Sequence, residues 1–201
     1  MSLKAMRWVL WGLVVGVSMT LVIAFAMSFD PREGTRTASM SVPIGGKFAL
    51  QDQNGLERTW SSFRGKPAAV FFGFTNCPDI CPTTLAELTL LLKGLGPKGD
   101  DLNVILVTGD PARDKPDVLK AYLEAFDHRI VALTGAEPEI DAAFKSFKAY
   151  RKIVPASDGD YTVDHSAGVY LYDREGEFAG TLDMHEAPQA RIEKVGRLVA
   201  G

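Results

Sequence analysis

Cysteine and histidine are scarce in this 201-residue chain: two cysteines, Cys77 and Cys81, and three histidines, His128, His165 and His185. Two cysteines allow one disulfide, and a metal held by both must find its third ligand elsewhere. Charge of one sign is also missing. Lys and Arg number 22 against 25 Asp and Glu, a net charge of -3, with no basic block and no aromatic-interleaved basic patch. That excludes the electrostatic footprint of a nucleic-acid binder. No internal repeat or low-complexity tract occurs, so solenoids and arrays fall away. An Arg- and Ser-rich presequence is absent before the first apolar run, which points to a bacterial inner membrane rather than organellar import.

The first feature present is residues 8–29, WVLWGLVVGVSMTLVIAFAMSF, 22 residues without a charge. At about 1.5 Å per residue this covers a hydrocarbon core of roughly 30 Å. Lys4 and Arg7 precede it, and positive charge stays on the cytoplasmic side. The N-terminus is therefore expected in the cytoplasm and the remaining domain on the periplasmic side. Ala24-Phe25-Ala26 resembles a signal-peptidase site. The apolar run exceeds the roughly 7–15 residues of a signal peptide, which favours an uncleaved single-pass anchor. The expected organisation is an anchor over 1–29 with a transmembrane helix at 8–29, a small polar linker over 30–43, and one domain over 44–201.

Within that domain, Asp52-Gln53-Asn54-Gly55 between short apolar pieces predicts a hairpin. Residues 67–74, PAAVFFGF, suit a central strand buried on both faces. Leu85, Leu88, Leu91, Leu92 and Leu95 form the stripe of an amphipathic helix. Strands follow at 103–108 and 130–133, with helices at 116–126 and 137–150. After Tyr150 the pattern turns to extended pieces at 161–164, 168–172 and 177–182, closed by a helix over 187–200. The expected fold class is α/β: a mixed sheet with flanking helices and an N-terminal β-hairpin, preceded by one transmembrane helix.

Cys77 and Cys81 lie at the C-terminal end of the first central strand, where open α/β sheets carry their sites. Each is followed by a proline, which disfavours helical geometry at the residue before it. The two cysteines are thus expected in a loop, able to close a disulfide or clamp one ion. Pro82 fits the first helical position, making Cys81 the cap, where the dipole would favour thiolate. Thr84 with Glu87 offers a rival start. Three readings of the pair stand: a structural disulfide, a thiol–disulfide redox pair, and a soft metal site selecting Cu(I) or zinc. His128 and His185 read as solvated surface residues, with a weak metal role open to Met184 and His185. His165, beside Asp164 as an acceptor for its ring, is the candidate third ligand. Asp79 reads as a loop solvator or an oxygen ligand for Cu(II).

GFTNCPDICP followed by TLAEL, then VTGDPARDKPDVLKAYLEAF, LTG and YTVDHSAGVYLYDREGEF resemble the Sco/SenC copper chaperones. The resemblance implies a thioredoxin-like fold. It also implies one copper ion per domain, Cu(I) foremost and Cu(II) as an option, held by Cys77, Cys81 and His165. Implied with it are assembly of the binuclear copper centre of cytochrome c oxidase, subunit II as partner, and an upstream copper donor. It implies a chaperone rather than an enzyme; the alternative role is thiol–disulfide exchange on the cysteines of the oxidase subunit or of other exported proteins. Asp110 and Asp114, in the family's DPxRD stretch, read as turn and helix-start residues near the site, not ligands.

Overall fold

A computed structural model describes residues 3–28, 44–156 and 159–201. The expected linker, 30–43, lies outside the described residues. By its internal contacts the chain divides into two units, Met1–Ser41 and Val42–Gly201. In the first, α1 spans Leu3–Ser28. Its 26 residues measure about 39 Å at 1.5 Å per residue. Among the described residues, no helix is long and apolar enough to cross a membrane.

In the second unit the Asn-Gly turn joins β1 (Ala49–Asp52) to β2 (Glu57–Thr59), as the hairpin signal requires. Burial of Asp52 works to raise its carboxyl, but the Asn54 and Leu56 amides and the Arg58 guanidinium, all donating to it, fix the turn and hold it below its ordinary range. Three parallel strands form the centre: β3 (Ala68–Gly73), β4 (Asn103–Thr108) and β5 (Ile130–Thr134). Helix α2 (Ile80–Leu95) links β3 to β4 and α3 (Pro116–Leu123) links β4 to β5. Helix α4 (Glu137–Ser146) leads to a separate two-stranded sheet, β6 (Arg151–Pro155) with β7 (Tyr161–His165). Strands β8 (Val169–Tyr172) and β9 (Phe178–Leu182) then join the main sheet, and α5 (Pro188–Ala200) closes the chain. The seven-stranded order is β2-β1-β5-β4-β3-β8-β9, with β1, β8 and β9 paired antiparallel to their inner neighbours.

Alternation along β3 and β4 divides the core. Ala69, Phe71, Val104 and Leu106 face one layer, where Leu85 and Leu88 of α2, Leu119 of α3 and Val195 of α5 pack. Val70, Phe72, Ile105 and Val107 face the other, against Ile140 and Phe144 of α4, Trp60 and Tyr172. Helices therefore cover both faces of a mixed sheet, as expected.

Three helix boundaries differ from expectation: α3, expected to reach 126, ends at Leu123, and two others bear on the site. The helix expected over 137–150 ends at Ser146, because Lys148 takes a left-handed φ of 54°. This frees the next residues to form β6, a strand the pattern did not reveal. The cysteine helix starts earlier than either predicted register, with Asp79 at the cap position and Ile80 first. Cys81 is thus inside the first turn, not its cap. Pro82, third in the helix, is tolerated because the first-turn amides have no intrahelical acceptor anyway.

Candidate metal centre

The site forms where β3 ends. Beyond Gly73 the chain passes Phe74 and the Thr75-Asn76 turn to Cys77, whose amide donates to the Phe74 carbonyl at 3.3 Å. Cys77 stays outside the helix, while Cys81 is carried inward by its first turn and is fully buried. His165, the last residue of β7, comes from the opposite side. The two Sγ atoms and one ring nitrogen of His165 all lie within 4.8 Å of one another. Both cysteines are free thiols.

Each donor is held by its surroundings. The His165 Nδ1–H donates to the Ser166 carbonyl at 3.0 Å, leaving Nε2 to face Cys81 Sγ at 3.5 Å. Asp164 was expected to orient this ring; the neighbouring backbone carbonyl does so instead, and Asp164 is exposed. Phe74 and Phe71 meet the imidazole edge-to-face, with centroids 5.7 and 6.2 Å away. Gly73 lets Cys81 approach the strand: a Cβ there would stand 2.9 Å from Cys81 Sγ and 2.7 Å from Phe71 Cε1.

The electrostatics overturn the thiolate expectation at Cys81. Burial pushes its thiol well above the ordinary range; a hydrogen bond from the Phe74 backbone opposes this, while Cys77 and Asp114 add to it. Desolvation thus outweighs the helix dipole at Cys81. Tyr122, packed against the same core, has a buried hydroxyl without a partner among the described residues, and burial likewise raises its phenol.

A trigonal first-row ion bonded at about 2.3 Å to sulfur and about 2.0 Å to nitrogen spaces its donors roughly 3.7–4.0 Å apart. Cys81 Sγ and His165 Nε2, at 3.5 Å, already stand near that spacing, and no pair of the three donors, all within 4.8 Å, need shift by more than about 1 Å to reach it. Binding would displace the thiol protons. On its open side the site borders a groove of about 270 Å³ lined by Phe74, Pro78, Ile80, Val163 and Asp164.

The other candidates lie apart. The His128 side chain is 92% exposed beside Asp127, and that of His185 is 97% exposed against Asp183, as surface residues should be. Met184 Sδ accepts from Arg191 at 3.2 Å. Asp79 is exposed and outside the three-donor cluster. Asp110 and Asp114 are buried and also outside it. The sequence reading missed Gly73, the Phe71 and Phe74 rings and the Ser166 carbonyl. Of these only a glycine ending an otherwise apolar strand carried a visible signal.

Comparison with known proteins gives one consistent family. The SCO1/SenC family model matches residues 36–200. The mitochondrial protein SCO2 of Saccharomyces cerevisiae is 40% identical over 161 residues, covering 77% of this chain and 52% of its own. The chain thus spans about half the length of that relative. The structure of Bradyrhizobium japonicum ScoI with copper bound superposes with a TM-score of 0.74 at 42% identity, over 77% of this chain and 99% of ScoI. BsSco, described as a member of the Sco family of cytochrome c oxidase assembly proteins with a disulfide switch, gives 0.60 at 29% identity, over 80% and 96% of the two chains. On this match and these relatives, the chain belongs to the SCO1/SenC family and has its thioredoxin-like fold.

Proposed function

We propose that this protein is a membrane-anchored copper metallochaperone that helps assemble the binuclear copper centre of cytochrome c oxidase, with subunit II as its partner. The observation carrying this reading is the convergence of Cys77, Cys81 and His165 within 4.8 Å, one imidazole with two thiols. Two soft sulfurs and a nitrogen suit Cu(I). Three donors leave a coordination position open, and the adjacent groove gives a receiving ligand room to enter. Copper is cargo here: the buried sulfur and the pinned imidazole hold it, and the half-buried Cys77 is the ligand easiest to exchange. An upstream protein donor would load the site by the reverse exchange.

The anchoring is part of the proposal. Residues 8–29 carry no charge, and Lys4 and Arg7 flank their N-terminal side. This supports a single-pass inner-membrane helix with domain 44–201 in the periplasm, held off the bilayer by 30–43.

A second reading is supported by the free dithiol and by the disulfide switch described for BsSco. Cys77 would attack a target disulfide as thiolate, releasing one target thiolate. Cys81, on losing its proton, would then displace the second, leaving Cys77–Cys81 oxidised and the target reduced. Copper titration of the reduced full-length chain in detergent, alongside a target-disulfide reduction assay, separates the two. One copper per chain, lost in Cys77→Ser and Cys81→Ser, supports the chaperone. Disulfide reduction without stoichiometric copper binding supports the reductase.

A further inference from the structure

Strands β6 and β7 form a sheet of their own, outside the seven-stranded ladder. His165, at the end of β7, therefore has no ladder bond to the sheet that carries the cysteines. Something else must register the two halves of the site. Val163 contributes apolar contact with the core, but such contact is non-directional. Arg151 ties the hairpin to Asp141 and Glu137 of α4, but the directional contacts that reach both halves of the site converge on the turn between β4 and α3.

That turn holds two interior carboxylates, Asp110 at 2% and Asp114 at 0% exposure. Buried carboxylates are costly unless fully paired, and neither is in the three-donor cluster. Each pairs with a different half of the site. Asp114 Oδ1 accepts the Thr75 hydroxyl at 2.5 Å; its Oδ2 accepts the Thr75 amide at 3.1 Å and the Thr108 hydroxyl at 2.5 Å. Thr75 stands two residues before Cys77. Asp110 Oδ1 accepts the Tyr161 hydroxyl at 2.9 Å, and its Oδ2 accepts Arg113 Nε. Arg113 then donates to the Tyr161 carbonyl at 3.0 Å and to Asp160 at 3.1 Å, with its guanidinium 3.8 Å from the Tyr161 ring centroid. Tyr161 opens β7, the strand that His165 ends.

The backbone between them repeats the arrangement. The Gly109 amide donates to Gly73 at the end of β3 at 2.6 Å, and the Gly109 carbonyl accepts Arg151 Nε at 2.5 Å. Arg151 is the cross-strand partner of His165. One turn thus grips the cysteine strand with one side and the histidine hairpin with the other.

We infer that the β4–α3 turn is the positioning element of the site: Asp114, through Thr75, sets the cysteine loop, and Asp110 with Arg113, through Tyr161, sets His165. The inference rests on the copper reading above for its consequence, and on the contacts alone for its geometry. A turn that served only stability would act equally with or without His165.

A double-mutant cycle tests this on the full-length chain in detergent, with Cu(I) affinity read by chelator competition. Tyr161→Phe keeps the ring and loses the hydroxyl bond to Asp110. It should weaken copper binding about tenfold, as loss of a group orienting a metal ligand does, and have no further effect in a His165→Ala background. Thr75→Val, acting through the cysteines, should weaken binding in both backgrounds. Arg113→Lys, which keeps charge but loses the forked contacts, repeats the test should Tyr161→Phe unfold. In the metal-free chain, Tyr161→Phe or Arg113→Lys should shift the His165 ring nitrogen resonances and Thr75→Val should not. Equal loss for Tyr161→Phe in both backgrounds, or no loss in either, overturns the inference. If His165→Ala itself leaves copper affinity unchanged, His165 is not a ligand, while failure of Cys77→Ser and Cys81→Ser to lose copper sinks the copper reading itself; in either case the metal-free resonances decide the positioning, and unshifted signals overturn it.

Discussion

Gly73→Ala is the sharpest single perturbation of the site that touches none of its donors. An alanine Cβ at this position would lie 2.9 Å from Cys81 Sγ and 2.7 Å from Phe71 Cε1. Relaxed carbon contacts lie near 3.5–4.0 Å, so the sulfur must retreat by about 0.6 Å or more and the ring by about 0.8 Å or more. Neither can do so freely: both are fully buried, and Gly73 is paired with Thr108 in the central ladder. Overpacking of this kind costs about 1–3 kcal/mol. At about 2–4 °C per kcal/mol for a domain of this size, the metal-free melting temperature should fall by roughly 2–12 °C. Copper affinity should fall as well, since the displaced atom is a proposed ligand. Gly196→Ala, in α5 and away from the site, is the control: its Cβ would make an ordinary contact, 3.7 Å to Leu95, so copper affinity should not change and melting should not fall. Calorimetry and chelator competition measure the pair. Gly73→Ala with unchanged melting and unchanged copper affinity would refute the claim that the glycine exists to admit the sulfur.

Other consequences follow from the same contacts. The buried Cys81 thiol titrates above its unfolded counterpart, so the unfolded chain loses that proton first as pH rises. Metal-free stability should therefore fall above about pH 8.5, by at most about 1.4 kcal/mol per pH unit, and urea unfolding of Cys81→Ser should show a shallower decline. Arg191, buried in α5, bridges to Glu87 of α2 and to Met184. Arg191→Ala should destabilise the domain by roughly 3 kcal/mol in urea unfolding while leaving copper stoichiometry intact. In the proposed anchor, Val15→Arg with Val17→Arg adds about 2.5–3.5 kcal/mol of insertion cost per charge, and carbonate extraction should release the doubly substituted protein from membranes.

The central sheet was legible because β3 is apolar throughout and β4 is apolar from Val104 to Val107, short runs buried on both faces. The hairpin β1–β2 was legible from Asn54-Gly55. Strand β6 was not: Arg151 and Lys152 lead it, and its partner is β7 rather than a member of the main sheet. The preceding helix gave no stop signal, since Lys148 occupies the left-handed position that glycine or asparagine would mark. The three proposed ligands could be named from the sequence and a family resemblance. Their supports could not. A proline third in a helix looks like a proline at its start, so Cys81 was read as exposed to the dipole when it is buried under Gly73. The orienting acceptor of His165 is the backbone carbonyl of Ser166, which no side-chain pattern records. Asp110 and Asp114 were visible as motif residues, but the Asp110 contact to Tyr161 depends on a hairpin the sequence did not show, and the Asp114 contact to Thr75 joins residues 39 apart in the chain.

The central claim is that two thiolates and the imidazole of His165 hold one copper. X-ray absorption of the Cu(I)-loaded full-length chain, compared with His165→Ala, tests it most directly. The account predicts two sulfur neighbours and one nitrogen neighbour per copper, with the nitrogen lost in the variant. A sulfur-only first shell, or a spectrum unchanged by His165→Ala, would contradict it.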